Sequence, residues 1–267
     1  LNSTGFDAKQ LEHVRKAINL PYGLVFVTGP TGSGKSTTLC AILNEIKNTS
    51  KNIVTVEDPV EYKIDGINQV QIRPEFGLTF AVALRSFLRQ DPDIMMIGEV
   101  RDLETAQICI RSALTGHLLI TTLHTNDAPS AASRLMDIGV EPYMLAPSLL
   151  IVIAQRLIRK LCLECKEAYE PTVAQLKGAN IKGGLIYRHK GCDKCNNTGY
   201  RGRTSIGEIM PCTGEIQDLI NQRASFQKIR ETARAAGMQT LYESGIKKVE
   251  SGITSLEEVF AVTLGVE

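Results

Sequence analysis

The chain has 267 residues, of which 43% are hydrophobic and 22% charged, and its formal net charge at pH 7 is +1. That balance excludes a disordered or strongly basic chain and gives no electrostatic case for a nucleic-acid partner. The longest apolar stretch, residues 143–154, contains Pro147 and Ser148 and is too short to cross a bilayer, so neither a transmembrane segment nor a signal peptide is expected and a cytoplasmic location is predicted.

Residues 7–18 carry Leu11, Val14, Ala17 and Ile18 at helical spacing behind the polar opening Asn2-Ser3-Thr4-Gly5, which predicts a cap followed by an amphipathic helix. Pro21-Tyr22-Gly23 breaks it. A strand over 24–28 then leads into Gly29-Pro30-Thr31-Gly32-Ser33-Gly34-Lys35-Ser36-Thr37, and a helix over 36–47 follows. The nine residues fit G-x-x-x-x-G-K-[ST], and a strand before and a helix after supply the context that separates this motif from a chance glycine-rich turn. Glycines let the backbone turn tightly enough for successive N–H groups and the helix N-terminus to face one anion. Lys35 is then placed to reach the outer phosphates of a nucleoside triphosphate, and Ser36 to ligate Mg2+.

A second buried strand, over 53–56, ends in Glu57-Asp58-Pro59-Val60-Glu61-Tyr62, which puts carboxylates on the ligand side of a parallel sheet. A short half-exposed strand around 69–72 precedes a helix over 79–89 capped by Thr79. Residues 94–97 read as a buried strand running into Gly98-Glu99, and a helix over 103–114 and a strand over 118–122 follow. Strands alternating with helices predict a parallel sheet covered on both faces. Glu57, Asp58, Glu61 and Glu99 are therefore candidates for holding metal and water, against the alternative of solvated loop charges or structural ion pairs. His117 and His124 flank the last strand, where an imidazole could sense the terminal phosphate or simply hydrogen-bond at a strand end.

From residue 128 the patterns read as helical, over 128–136 and 143–160 with a break at Pro147, and again over 215–221, 226–236, 238–249 and 256–264. Between these groups, Cys162-x-x-Cys165 and Cys192-x-x-Cys195 have the spacing of two zinc knuckles facing one tetrahedral ion. The lobe around them lacks apolar residues for a core of its own, so Zn2+ would contribute its folding energy. His189 replacing one thiolate, or a redox role for the cysteines, are the alternatives. Cys40, Cys109 and Cys212 stand alone and are expected to be inert core residues.

Five stretches carry a specific resemblance. They are Gly29 to Thr37, Glu57 to Tyr62, Leu84-Arg85-Ser86-Phe87-Leu88-Arg89-Gln90-Asp91-Pro92-Asp93, Gly98-Glu99-Val100-Arg101-Asp102, and Thr115-Gly116-His117 with Thr121-Thr122-Leu123-His124-Thr125-Asn126. In this order they resemble the Walker A, Asp box, Walker B and His box of the type IV pilus and type II secretion ATPases. The resemblance implies an α/β, RecA-like P-loop fold with a parallel-rich sheet, and ATP, Mg2+ and Zn2+ as cofactors. It implies Lys35 on the β- and γ-phosphates, Asp58 beside the nucleotide, Glu61 positioning water, Glu99 supporting metal and water, and His124 sensing the γ-phosphate. Arg101 would act near a nucleotide at a subunit boundary.

The same resemblance implies a homohexamer, peripheral at the inner membrane, which meets a platform protein of the pilus or secretion machine and drives pilin or pseudopilin assembly. The cysteine pairs favour assembly or secretion over retraction. Family members have further domains ahead of this core. Within the chain, the expected division is a RecA-like core over 1–160, a tetracysteine lobe over 161–200 and a helical C-terminal part over 201–267. A nucleic-acid translocase and a nucleotide-gated scaffold without useful turnover are the readings from other classes.

Overall fold

The computed structural model describes residues 1–263 apart from 180 and 182; the predicted helix end at 264 lies outside the described residues. Helix α1 (Ala8–Ile18) begins at Asp7, whose carboxylate accepts from Gln10 N at 2.9 Å while Gln10 Oε1 accepts from Asp7 N at 3.0 Å. This reciprocal cap satisfies two otherwise orphaned donors, and the polar opening expected to cap the helix forms a separate 3₁₀ turn over Asn2–Thr4. Strand β1 (Gly23–Thr28) and helix α2 (Lys35–Ile46) bracket the glycine-rich loop as predicted.

Then follow β2 (Ile53–Glu57), β3 (Asn68–Gln71), α3 (Phe80–Phe87, capped by the Thr79 hydroxyl), β4 (Ile94–Ile97), α4 (Leu103–Leu114) and β5 (Leu118–Leu123). These strands form one sheet with β6 (Leu149–Leu161) and β9 (Tyr200–Pro211), in the order β3-β2-β4-β5-β1-β6-β9. Every neighbouring pair is parallel except β6 and β9. Both faces are covered. Along β1, Leu24 and Phe26 join the core beneath α3 and α4, whereas Val25 and Val27 join the core beneath α1 and α2, as the two-residue repeat of a strand requires. Among the described residues no helix is long and apolar enough to cross a membrane.

The expected helix over 143–160 is not formed. Helix α6 (Pro142–Ser148) stops early, and residues 149–161 extend as β6, parallel to β1 on one edge and antiparallel to β9 on the other. A strand buried on both faces shows a continuous apolar run, which periodicity cannot tell from a buried helix. The β-branched Ile151-Val152-Ile153 favours the strand. Residues 201–211 likewise return to the sheet in β9 before the C-terminal helices begin: α8 (Gly214–Asn221), α9 (Phe226–Ala235), α10 (Leu241–Glu250) and α11 (Leu256–Thr263). Helix α5 (Pro129–Asp137) packs on α9.

Strands β6 and β9 are thus the arms of a long hairpin, paired from Ile151 with Pro211 to Leu161 with Tyr200, and the cysteine segment is its tip. That tip contains β7 (Glu167–Tyr169), α7 (Val173–Ala179) and β8 (Ile186–Arg188). It shares its apolar interior with the C-terminal helices: Ala179, Ile181 and Ile186 pack with Ile246 and Val249 of α10 and Leu256 and Val259 of α11.

The middle of β9 carries a buried carboxyl, Glu208, which accepts a hydrogen bond from Ala128 N at 2.8 Å. Asp127 beside it pairs with Arg230 at 3.1 Å and accepts from Ser130 N at 2.8 Å, capping the start of α5. Burial pushes Glu208 up from its ordinary 4.5 to about 7, with the Asp127 charge adding to the rise and the Ala128 N–H and Arg230 opposing it. The folded chain therefore binds this proton more tightly than the unfolded chain. The stabilisation is fully present below the unfolded value and is lost as pH rises through about 7. Urea unfolding at a series of pH values should show wild-type stability falling across this window and a shallower fall in Glu208→Gln, whose amide accepts from Ala128 N at every pH.

Candidate functional site

Because β1, β2, β4 and β5 are parallel, their C-terminal ends lie on one edge of the sheet, and the loops that leave them surround a common cleft. The cleft has a volume of about 460 Å³. Thr31, Gly32, Gly34, Lys35, Ser36 and Thr37 line it from the glycine-rich loop. Glu57, Asp58, Glu61 and Tyr62 reach it after β2, Glu99 and Arg101 after β4, and His124 after β5. Of the nine loop residues, Gly29, Pro30 and Ser33 do not line it.

Their part is structural. Gly29 has φ +144°, and a Cβ there would lie 2.5 Å from both Gln155 O and Ser33 Oγ, so only glycine fits. Its carbonyl and that of Pro30 accept from Lys35 Nζ at 2.8 and 3.0 Å, which keeps the ammonium over the loop. Burial lowers the Lys35 pKa, and the charge of Glu99 opposes that shift. Gly34, at φ +89°, forms the N-cap of α2, so the loop hands over directly to a helix N-terminus suited to an anion.

Glu99 is the centre of the charged side of the cleft. Its side chain is 13% exposed, one oxygen is paired with the Arg101 guanidinium, and the other lies 3.3 Å from His124 Nε2. This pairing holds Arg101 above its ordinary range, against the opposing effect of burial. The Walker B position preceding it is Gly98, whose carbonyl accepts the Thr122 hydroxyl at 2.6 Å and thereby ties β4 to β5. Glu57 has a different task from its neighbours: it is buried, and its Oε1 accepts from Thr55 Oγ1 at 2.6 Å and Gln69 Nε2 at 2.9 Å. Asp58 and Glu61 are exposed at the rim.

His117 and His124 are kept apart. His117 Nδ1 lies 3.1 Å from Ser112 O at the foot of β5, and only His124 reaches the cleft. Arg85 of α3 pairs with Glu104, and Arg89 just beyond that helix bonds to Arg85 O; neither arginine lines the cleft. Two residues that do line it, Leu157 and Arg203, are not among the sequence candidates. They arrive on β6 and β9, and no local motif marks them. Cys40 is a correction: it is half-buried and lines the cleft, with its thiol pushed up by burial and then by Glu57 and Glu61. Cys109 is a buried core residue as expected, its thiol raised to about 12 by burial.

At the hairpin tip, the sulfurs of Cys162, Cys165, Cys192 and Cys195 all lie within 4.8 Å of one another. Sγ separations are 3.9 Å for Cys162–Cys192, 3.8 Å for Cys165–Cys195 and 3.7 Å for Cys192–Cys195. Four thiolates around one zinc at about 2.3 Å stand about 3.8 Å apart in a tetrahedron, so these three separations suit the ion. Burial raises Cys165 to about 11, whereas N–H donors from Cys192 and Gly199 bring Cys195 down to about 6 in spite of burial. His189 is not part of the cluster: its Nδ1 lies 3.2 Å from Tyr200 OH and its ring stacks on that tyrosine.

The family described as Type II/IV secretion system protein matches residues 1–261. This chain belongs to that family. Family relatives include the type II secretion system ATPase E of Vibrio cholerae serotype O1, 50% identical over 266 residues, which cover 98% of this chain and 53% of that protein. The type IV pilus assembly ATPase PilB of Thermus thermophilus is 49% identical over 269 residues, 99% of this chain and 30% of that protein. The chain thus spans about half of the first relative and less of the second. Among solved structures, the pilus retraction motor PilT with bound ADP superposes with a TM-score of 0.74 at 31% identity, covering 98% of this chain and 66% of that one. The RecA-like family fold expected from the motifs is the fold observed.

Lys35→Ala removes the cation over the loop and should abolish tight ATP binding, measured by calorimetry; wild-type affinity in that variant overturns the phosphate-loop assignment. Elemental analysis should find one zinc per chain. Serine at Cys162 or Cys192 should make residues 161–200 sensitive to protease, and α10 and α11 with them because they share an interior, while the phosphate loop is spared.

Proposed function

We propose that the chain is the ATP-hydrolysing core of a homohexameric motor that powers type IV pilus assembly, working at the cytoplasmic face of the inner membrane against a platform protein of the pilus machine. The supporting observation is the convergence in one cleft of the anion-facing loop with Lys35, the Glu99 hub with Arg101 and His124, and the rim carboxylates Asp58 and Glu61. Phosphoryl transfer to water needs those parts: positive charge on the phosphates, a metal ligand, and a group that orients water.

In this reading Lys35 and the loop N–H groups hold the β- and γ-phosphates. Ser36, with Glu99, would hold Mg2+, which neutralises charge on the phosphates when bound. Glu61, exposed at the mouth, takes the proton of the attacking water. His124 reports on the γ-phosphate through Glu99, because any shift of that carboxylate is felt at the imidazole 3.3 Å away. Residues 1–160 supply nucleotide handling, 161–200 the metal lobe, and 201–267 the C-terminal part, with β9 of that part completing the core sheet.

Identity to the secretion ATPase and to the pilus ATPase is nearly equal, so drive of a type II secretion pseudopilus is the second reading. Retraction is disfavoured by the tetracysteine cluster, and a nucleic-acid track by the net charge of +1. Turnover decides between a motor and a nucleotide-gated scaffold. Glu61→Gln should keep nucleotide binding and lose about 10²–10⁴ in steady-state ATPase rate, since an amide can hydrogen-bond water but cannot accept its proton. Unchanged turnover in that variant, with loss in Glu99→Gln, would assign the water to Glu99.

A further inference from the structure

We propose that Gln155 is a positioning residue for the nucleotide, its side-chain amide tying the phosphate loop and helix α2 to strand β6 so that the loop keeps its anion-facing form. The inference rests on the phosphate-loop reading above.

A loop that turns its N–H groups toward one point must turn carbonyls away from it, and a carbonyl turned into the interior needs a donor there. Ser33 is such a residue: it is 3% exposed, and its carbonyl accepts from Gln155 Nε2 at 2.8 Å. The other end of the same amide accepts from Thr38 Oγ1 in the first turn of α2, also at 2.8 Å. Gln155 and Thr38 are each 1% exposed, so water does not compete for these bonds. The orientation of the amide is dictated, because Ser33 O can only accept and Thr38 has a proton to give.

The placement follows from the sheet. Strand β1 ends at Thr28, opposite Ala154, while β6 runs on, so residue 155 comes level with the first residue of the loop. Its backbone makes contact there too, for the Gln155 carbonyl is one of the two atoms that exclude a Cβ at Gly29. Gln155 does not line the cleft and touches no reacting group. Its effect must therefore pass through the loop.

A buried glutamine that only fills space would tolerate an isostere, and this separates packing from positioning. Gln155→Met keeps the length and removes both bonds. Gln155→Glu keeps an acceptor for Thr38, but when ionised it offers Ser33 O no donor; when protonated it restores one. Burial raises the pKa of such a carboxyl, which brings its titration toward neutral pH. By calorimetry with ADP and a non-hydrolysable ATP analogue, the Met variant should bind about tenfold more weakly than wild type. Its KM for ATP should rise more than its kcat falls. The Glu variant should bind weakly at about pH 8 and recover as pH falls toward about 6, a dependence absent from wild type.

Thr38→Val, which removes one of the two bonds, should give a smaller loss and carries the test alongside the Glu variant if the Met variant fails to fold. Wild-type affinity in folded Gln155→Met and in Gln155→Glu at every pH overturns the proposal, as does a loss in the Glu variant that does not change with pH. Lys35→Ala serves as the reference. If it too binds like wild type, the phosphate-loop reading has failed; if it is inactive in binding while the Gln155 variants are normal, only the tether has failed.

Discussion

Strand β1 is held on both edges and on both faces. It is hydrogen-bonded to β5 on one edge and β6 on the other, and its residues face two separate cores, so neither sliding nor tilting is open to it without breaking ladders and packing together. The phosphate loop begins where this strand ends. A loop made of glycine and small polar residues has little packing of its own, and its geometry is borrowed from the fixed strand before it, the helix after it and the neighbouring β6. That explains why Gly29 is confined between Gln155 and Ser33 rather than placed in open space, unlike Gly32 three residues later, where a Cβ would meet nothing within 4 Å.

The chemistry of the cleft depends on how its charges are shared. Glu99 is half-buried and contacted on one oxygen by the Arg101 guanidinium and on the other by the His124 imidazole, while Lys35 feels its field across the loop. These contacts hold both of its oxygens in place. Glu61, on the outer rim, has no such restraint, which suits a group that must meet water. Glu57, which precedes both in sequence, is instead spent on holding β2 to β3 through Gln69. Four acidic residues of similar appearance therefore do three different things, and burial with hydrogen-bond partners makes the distinction.

The hairpin of β6 and β9 joins two regions that look unrelated in the sequence. At its base it completes the core sheet beside the phosphate loop, and at its tip it carries the four cysteines. Between them, Arg159 bonds Glu258 of α11 and stacks on Tyr200, whose hydroxyl meets Ser255 at 2.8 Å. The hairpin tip, the last two helices and the end of the sheet are thereby one packed unit, so the lobe needs less of its own apolar content than its composition suggests.

The local elements up to residue 142 were legible from sequence because their signals are local: alternation of strand and helix lengths, Thr79 as a cap, the glycine-rich motif between β1 and α2, and carboxylates placed where parallel strands end. The paired cysteines were legible for the same reason, since the spacing within each pair already suits one ion. Strand β6 was not, because a segment buried on both faces loses the periodicity that tells strand from helix, and only its pairing with β1 and β9 decides the matter. Gln155, Leu157 and Arg203 were invisible as site residues, being brought to the phosphate loop by strands more than 100 residues away in sequence. The sequence by itself determined the parts of a candidate nucleotide site and a cluster of four sulfurs that could hold a metal. Which carboxylate points into the cleft, which is buried as a strut, and what holds the loop in shape were decided by tertiary contacts, because hydrogen-bond partners and burial exist only once distant strands are paired.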